Sequence, residues 1–338
     1  MENGTLLISR KQVSDLLSLG ECMTAVENAF KLHAEGKVSP PKVLGMHTDD
    51  GGFHIKAGIL NLSKSYFVAK INSNFPVNTK KFGLPLIQGV IAVYDGENGQ
   101  LLALMDSIEI TIMRTGAATG IAAKYLAKAG AKTVTICGCG NQGRISLKAI
   151  MEVRQTEKVF AFDINKEQAD KFAEQLSAEL EIPIVPVDDF KNAVSHSDIC
   201  VTCTPSTRPF LNTDDVKPGI FIAAVGADSA HKQELYPELI SSSKLVVDLK
   251  EQSASMGELH HALDAKLLRL NDVYAELGEV IAGKKTGRCS DDEVIIFDST
   301  GTALQDVAAA VIVYEKALKN GMGTTLNFSE PKMTSKRS

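Results

Sequence analysis

The 338-residue sequence has no apolar run of membrane-spanning length and only six cysteines. A spanning helix needs about 20 consecutive apolar residues, so no membrane segment is expected. The start, Met-Glu-Asn-Gly, lacks the basic stretch and apolar core of a secretory signal. Six cysteines then fit reduced thiols better than a disulfide framework, and the expected location is the cytoplasm. Cys200-Val-Thr-Cys203 has metal-like spacing, but it falls in an apolar strand pattern and no second pair follows. Both are expected to be core thiols. No His-Glu-x-x-His, His-x-His with carboxylates or Gly-x-Ser-x-Gly occurs, which leaves a bound metal and serine hydrolysis without a motif. A net charge of −5 gives no reason to expect nucleic acid. The short basic tail, residues 331–338, is expected to be a disordered end.

What is present is ordinary globular composition, 44% hydrophobic and 23% charged, in a chain long enough for two domains. Residues 133–163 organise the rest. Thr-Val-Thr-Ile-Cys-Gly138-Cys-Gly140-Asn141-Gln142-Gly143-Arg144 leads to a helical run and then to Val159-Phe-Ala-Phe-Asp163. This is the order strand, glycine turn, helix, strand, acid of a dinucleotide site. Gly138 permits the tight turn, Gly140 admits a pyrophosphate, and Gly143 lets the helix pack against the strand. Asp163 suits the adenosine ribose hydroxyls and favours NAD over NADP, because it repels a 2′-phosphate. Arg144 and Lys166 are positioned to soften that preference. Without a ligand the same pattern is a glycine-rich strand–helix turn.

Before this unit, apolar periodicity over residues 11–35 predicts a helix that Gly36 stops. Pro40-Pro41 breaks it, and strands are predicted at Val43–His47, Phe53–Lys56, Tyr66–Asn72, Ile87–Asp95 and Leu101–Met105. With only turns between them, these suggest an antiparallel sheet. Ser107 reads as the cap of a helix running from Ile110 to Ala127. Past Asp163, Asn165 caps a helix to Ala178. The short apolar runs Ile184–Val187, Ile199–Thr202, Phe221–Val225, Leu245–Leu249 and Val294–Phe297 suit strands buried on both faces of a parallel sheet. Asp298-Ser-Thr-Gly301 opens a long helix through Ala317. The fold class is therefore α/β: a Rossmann doubly wound sheet over 119–302, plus a smaller α+β substrate and dimerisation domain from 1–118 and 303–330.

Loops after parallel strands are where chemistry is expected. Thr204-Pro205-Ser206 follows one strand and Val225-Gly226-Ala227-Asp228 the next. Asp228 is a candidate general acid/base, its pKa raised by partial burial, or else a cap for a helix over 232–235. In the β-rich part Lys42, Lys56 and Lys70, with Arg114 on the following helix, are candidate carboxylate ligands. A lysine within an apolar strand pattern is costly to bury without a partner, and Arg offers a bidentate fork. Surface cations or internal salt bridges are the plainer alternative for each. His54 shares a strand face with Lys56, as an acid/base pair or as a solvated surface.

Five motifs occur in order: Lys70-x4-Phe75-Pro76-x-Asn78; Arg114-Thr115-Gly-Ala-Ala; Gly138-x-Gly140-x-x-Gly143; Gly226-Ala-Asp228-x3-Lys232-Gln233-Glu234-Leu235; and Asp298-Ser-x-Gly301-x-Ala-x-Gln305-Asp306. Together, over about residues 5–320, they resemble the ornithine cyclodeaminase/μ-crystallin family. The resemblance implies a homodimer and a substrate carboxylate held by Lys70, Arg114 and Lys42, with Asp228 as acid/base at the reacting nitrogen. The candidate cofactor set is Thr115, Gly138, Gly140, Asn141, Gln142, Gly143, Asp163, Thr204, Pro205, Ser206, Val225, Gly226 and Gly301. The candidate catalytic pair is Asp228 with Lys70, and the substrate set is Lys42, His54, Lys56, Lys70 and Arg114.

The resemblance further implies hydride exchange between a nicotinamide and the α-carbon of an amino acid. The first expectation is an NAD-dependent cyclodeaminase that turns L-ornithine or L-lysine into L-proline or L-pipecolate and ammonia. Alternatives are a cyclic ketimine reductase acting on Δ1-pyrroline- or piperideine-2-carboxylate, an alanine dehydrogenase, or a non-catalytic nucleotide-dependent binding protein. One departure bears on the choice. Where cyclodeaminases resemble Glu-x-Met-Pro, this chain reads His54-Ile-Lys56-Ala57, so a glutamate serving the substrate's amines is missing.

Overall fold

The computed structural model describes residues 4–327. The chain divides into two compact units: residues up to Ser18, Val38–Thr111 and from Asp306 on, and then Leu19–Lys37 with Ile112–Gln305. The unit boundaries fall at 111/112 and 305/306, and residues 19–37 group with the second unit. The basic tail lies outside the described residues.

The first unit is built on a seven-stranded sheet. Its order is Thr324–Leu326, Thr5–Ile8, Leu101–Asp106, Ile87–Asp95, Ser65–Asn74, Gly51–Asn61 and Lys42–Thr48. From Leu101–Asp106 to Lys42–Thr48 every pairing is antiparallel, but the connection from Ser65–Asn74 to Ile87–Asp95 is not the expected plain turn: it contains the Asn78–Phe82 helix. Thr5–Ile8, four residues with no alternating pattern, was not expected as a strand and runs parallel to Leu101–Asp106. Register gives the sheet two distinct faces, since side chains alternate along a strand. One carries buried Leu60, Tyr66, Val68, Ile91 and Val93. On the other, Leu44, Ile55, Ile71 and Val90 line up across four strands, and Leu44, Ile71 and Val90 are exposed.

The second unit holds an eight-stranded, wholly parallel sheet in the order Ala275–Glu276, Lys244–Val247, Ile295–Asp298, Phe221–Ala224, Ile199–Thr202, Thr133–Cys137, Lys158–Phe162, Ile184–Pro186. Strands such as Ile199–Thr202 and Phe221–Ala224 are buried at every position, because helices cover both faces of such a sheet. Chain order reverses between Thr133–Cys137 and Ile199–Thr202, and the crevice at such a switch point is where doubly wound sheets bind nucleotides.

Several local expectations fail; Asn165, for one, stands at the N-cap of the Lys166–Leu180 helix without a side-chain cap bond. Residues 10–34 form two helices, Arg10–Leu16 and Leu19–Ala34, because the backbone at Leu17 is extended; Gly36, at φ 72°, ends the second. Ser107 does not cap the Ile108–Leu126 helix with its side chain. Its hydroxyl donates to Asn72 Oδ1 at 2.6 Å, and Asp106 Oδ1 accepts from the Ile108 N–H instead. No helix covers 232–235; Gln233–Leu235 is a short strand beside Thr207–Leu211.

Candidate functional site

The dinucleotide half of the chemistry is assembled at the switch point of the second unit. Gly138 leaves its strand at φ 108°, a backbone that a side chain disfavours. A Cβ at Gly143 would lie 2.2 Å from the Gly138 carbonyl oxygen, so only glycine lets the Asn141–Met151 helix start this close to the strand. Nothing lies within 4 Å of a Cβ built on Gly140, which leaves open space in front of the helix N-terminus. Unpaired N–H groups there attract phosphate. Asp163 sits at the end of the neighbouring strand, its Oδ2 accepting from the Cys139 N–H and its Oδ1 from the Asn165 N–H, both at 2.9 Å. The loop and its acid are thus tied into one rigid turn, and these residues fit a dinucleotide. Arg144 donates to Gln175 and Lys166 pairs with Asp188, so both cations have other partners. Asn141 is exposed and Gln142 half-buried on the first turn of that helix. The Cys203 thiol donates to the Gly138 carbonyl at 3.1 Å, and Cys139, with its thiol pKa pushed up to about 12 by burial, is no nucleophile.

Two neighbouring loops complete this half. Thr204, Pro205 and Ser206 follow the Ile199–Thr202 strand, and Val225, Gly226, Ala227 and Asp228 follow Phe221–Ala224. Val225 donates its N–H to Thr202 O at 2.8 Å, which holds the loops side by side. Asp228 departs from the expected partial burial. Its side chain is 55% exposed and its Oδ1 accepts from Lys232 Nζ at 2.7 Å, so these are not the surroundings of a desolvated acid. It is accessible and held by a neighbouring cation. Arg114 and Thr115 are buried in the same unit; Arg114 Nη1 donates to Gln305 Oε1 at 2.7 Å. Gly301, at φ 74°, leaves room for that guanidinium, which a Cβ would meet at 2.3 Å. Asp248 holds this turn by accepting from the Gly301 N–H and the Thr300 hydroxyl.

Two of the candidate cations share one face of the first unit's sheet. Lys56 and Lys70 are directly opposite each other on adjacent antiparallel strands, and both are buried. Cross-strand neighbours have Cβ atoms about 5 Å apart. Asp306, 1% exposed, accepts from Lys70 Nζ at 2.7 Å, and Thr111 Oγ1 lies 3.4 Å from the same nitrogen. Lys56, Lys70 and Asp306 thus form a buried charged cluster on this face. His54 and Asn72 form the next row of that face. A Cβ on Gly89 would collide with Asn72 Oδ1 at 2.1 Å and Ser107 Oγ at 2.6 Å, so glycine there makes room for the Asn72–Ser107 bond. Lys42 does not join this face. It is exposed and pairs with Ala57, one residue out of phase with Val43 and Lys56, so its side chain leaves from the opposite side. By register Lys42 does not share a face with Lys56 and Lys70. Asp306 and Asn72 join the face in its place; the Asp306 motif was visible in the sequence, but its pairing with Lys70 spans 236 residues.

Comparison with known proteins adds to this geometry. The family model described as Ornithine cyclodeaminase/mu-crystallin family matches residues 3–321. An alanine dehydrogenase of Archaeoglobus fulgidus is 38% identical over 325 residues, covering 96% of this chain and 98% of the relative. Among solved structures, an archaeal alanine dehydrogenase dimer with bound NAD superposes with a TM-score of 0.92 at 38% identity, over 96% of this chain and 100% of the other. The Δ1-pyrroline-2-carboxylate reductase of Thermococcus litoralis, in complex with NADH and L-proline, gives a TM-score of 0.90 at 37% identity, over 95% and 100%.

Proposed function

The chain belongs to the ornithine cyclodeaminase/mu-crystallin family, and from that premise we propose an NAD(H)-dependent enzyme that reduces the imine of a small α-amino acid, or oxidises the amino acid, at its α-carbon. The observation that carries this reading is the buried face of Lys56, Lys70 and Asp306. Two ammonium groups set side by side by strand register hold an α-carboxylate, and Asp306 fixes Lys70 so that little side-chain freedom is lost on binding. Arg114, its fork oriented by Gln305, is a second anion-binding group.

NAD(H), when bound by the Gly138–Gly143 turn and Asp163, supplies or accepts the hydride. The remaining chemistry is a proton at nitrogen. Asp228, accessible and 2.7 Å from Lys232 Nζ, exchanges that proton with the imine or amine nitrogen. Cofactor contacts are assigned to Thr115, Asn141, Gln142, Thr204, Pro205, Ser206, Val225, Gly226 and Gly301. The sequence puts cyclodeamination first; we place dehydrogenase and reductase chemistry ahead of it. The relatives at 37–38% identity carry those activities, and His54-Ile-Lys56-Ala57 stands where cyclodeaminases have a glutamate.

A homodimer is proposed on the exposed apolar row Leu44, Ile71 and Val90 with Met46 and Phe53 beside it, a surface that solvent disfavours. The test of the activity is a substrate panel. NADH should be consumed with Δ1-pyrroline-2-carboxylate or with pyruvate plus ammonia. Ammonia released from L-ornithine with catalytic NAD and no net NADH would return the assignment to a cyclodeaminase.

A further inference from the structure

Glu234 belongs to the Gly226-to-Leu235 motif, yet none of the roles above uses it. It is completely buried. Its Oε2 accepts from the Thr202 hydroxyl at 2.7 Å and the Gly226 N–H at 2.9 Å, and its Oε1 from the Thr204 N–H at 2.6 Å and the Thr204 hydroxyl at 2.7 Å. Thr202 and Ala224 are register partners at the ends of two adjacent parallel strands, so one carboxylate binds both loops that leave them. We propose that Glu234 is a positioning residue that fixes the Thr204 loop and the Gly226–Asp228 loop, and so sets where Asp228 presents its carboxylate.

Three features support this. A Cβ at Gly226 would lie 2.5 Å from Glu234 Oε2, so the motif keeps glycine where the carboxylate reaches the backbone. Glu258 in turn accepts from the N–H groups of Glu234 and Leu235, fixing the clamp's own backbone. Last, the site discriminates against an amide. Each oxygen faces one backbone N–H, which cannot become an acceptor, so either orientation of a glutamine side chain sets an N–H against an N–H. Burial raises the Glu234 pKa, and the four donors offset part of that rise.

The inference rests on Asp228 as the proton-transfer group, and the test separates the two. Glu234→Gln, Asp228→Asn and the double variant are compared by thermal melting, NADH titration and turnover of Δ1-pyrroline-2-carboxylate. In Glu234→Gln, NADH affinity should fall and kcat should drop by roughly 10- to 100-fold, the loss of a charge-assisted hydrogen bond expressed as a rate. In the Asp228→Asn background the same change should cost no further kcat, because the group it positions is gone, while the loss in NADH affinity persists. Native NADH affinity and kcat in Glu234→Gln, or multiplicative kcat losses in the double variant, would overturn the proposal. Full activity in Asp228→Asn would remove the Asp228 assignment alone, with the NADH titration still testing Glu234. If Glu234→Gln does not fold, Thr202→Val removes one of the four donors at constant shape. It should weaken NADH and kcat in the same direction by about threefold, and unchanged values would sink the idea.

Discussion

Asp298 shows how much a single buried residue stores. It is fully buried, and its Oδ2 accepts from the Leu259 N–H at 2.9 Å. Burial pushes its pKa up to about 8, with Asp248 and Glu234 adding repulsion. An unfolded aspartate ionises near pH 4, so between about pH 4 and 8 the folded chain holds a proton that the unfolded chain has released. Stability contributed by this group therefore falls as pH rises through that window. Asp298→Asn keeps the shape and carries no charge. Its melting temperature should gain on the native protein's as pH rises from 6 to 9, and parallel curves would show that Asp298 does not titrate there. Some residues were legible from sequence and others were not. Lys70 stood out because lysine amid Val68, Ala69 and Ile71 asks for a reason. The face on which Lys42 lies was not legible, because one residue of strand phase, which composition cannot report, decides it.

At the scale of elements, the glycine turn was the most legible feature, since each glycine answers a steric demand of its own. Gly143 is the strictest. A methyl there meets the Gly138 carbonyl at 2.2 Å, so Gly143→Ala must push the Asn141–Met151 helix away from the phosphate position. NADH affinity should fall at least about tenfold, as expected for a lost helix-terminus anion site, while the melting temperature moves by a few degrees. Unaltered affinity would mean that the helix start does not hold the phosphates. The buried strands were equally readable, because runs such as Ile199-Cys-Val-Thr202 have the composition of a parallel sheet. The Ser107 cap was not. A serine before a helix is a good cap in general, but here Asn72, 35 residues away, takes its hydroxyl. Partners distant in sequence also hid the Glu234 clamp, whose donors lie 8 to 32 residues away.

At the scale of the whole molecule, the apolar row on the outer face of the seven-stranded sheet is the feature a lone chain explains least. Leu44 is 54% and Ile71 43% exposed, and a flat row of such residues is an interaction surface. Ile71→Glu puts a charge into it, and light scattering after size exclusion should then give a monomer where the native protein gives a dimer. A native monomer, or a dimer indifferent to the charge, would contradict that assembly. Turnover of Δ1-pyrroline-2-carboxylate, or of pyruvate with ammonia, with NADH deuterated at the transferring C4 position should place deuterium on the α-carbon of the amino acid formed, read by mass spectrometry. Turnover without deuterium at the α-carbon, or firm NADH binding with no transfer to either substrate, would contradict the account.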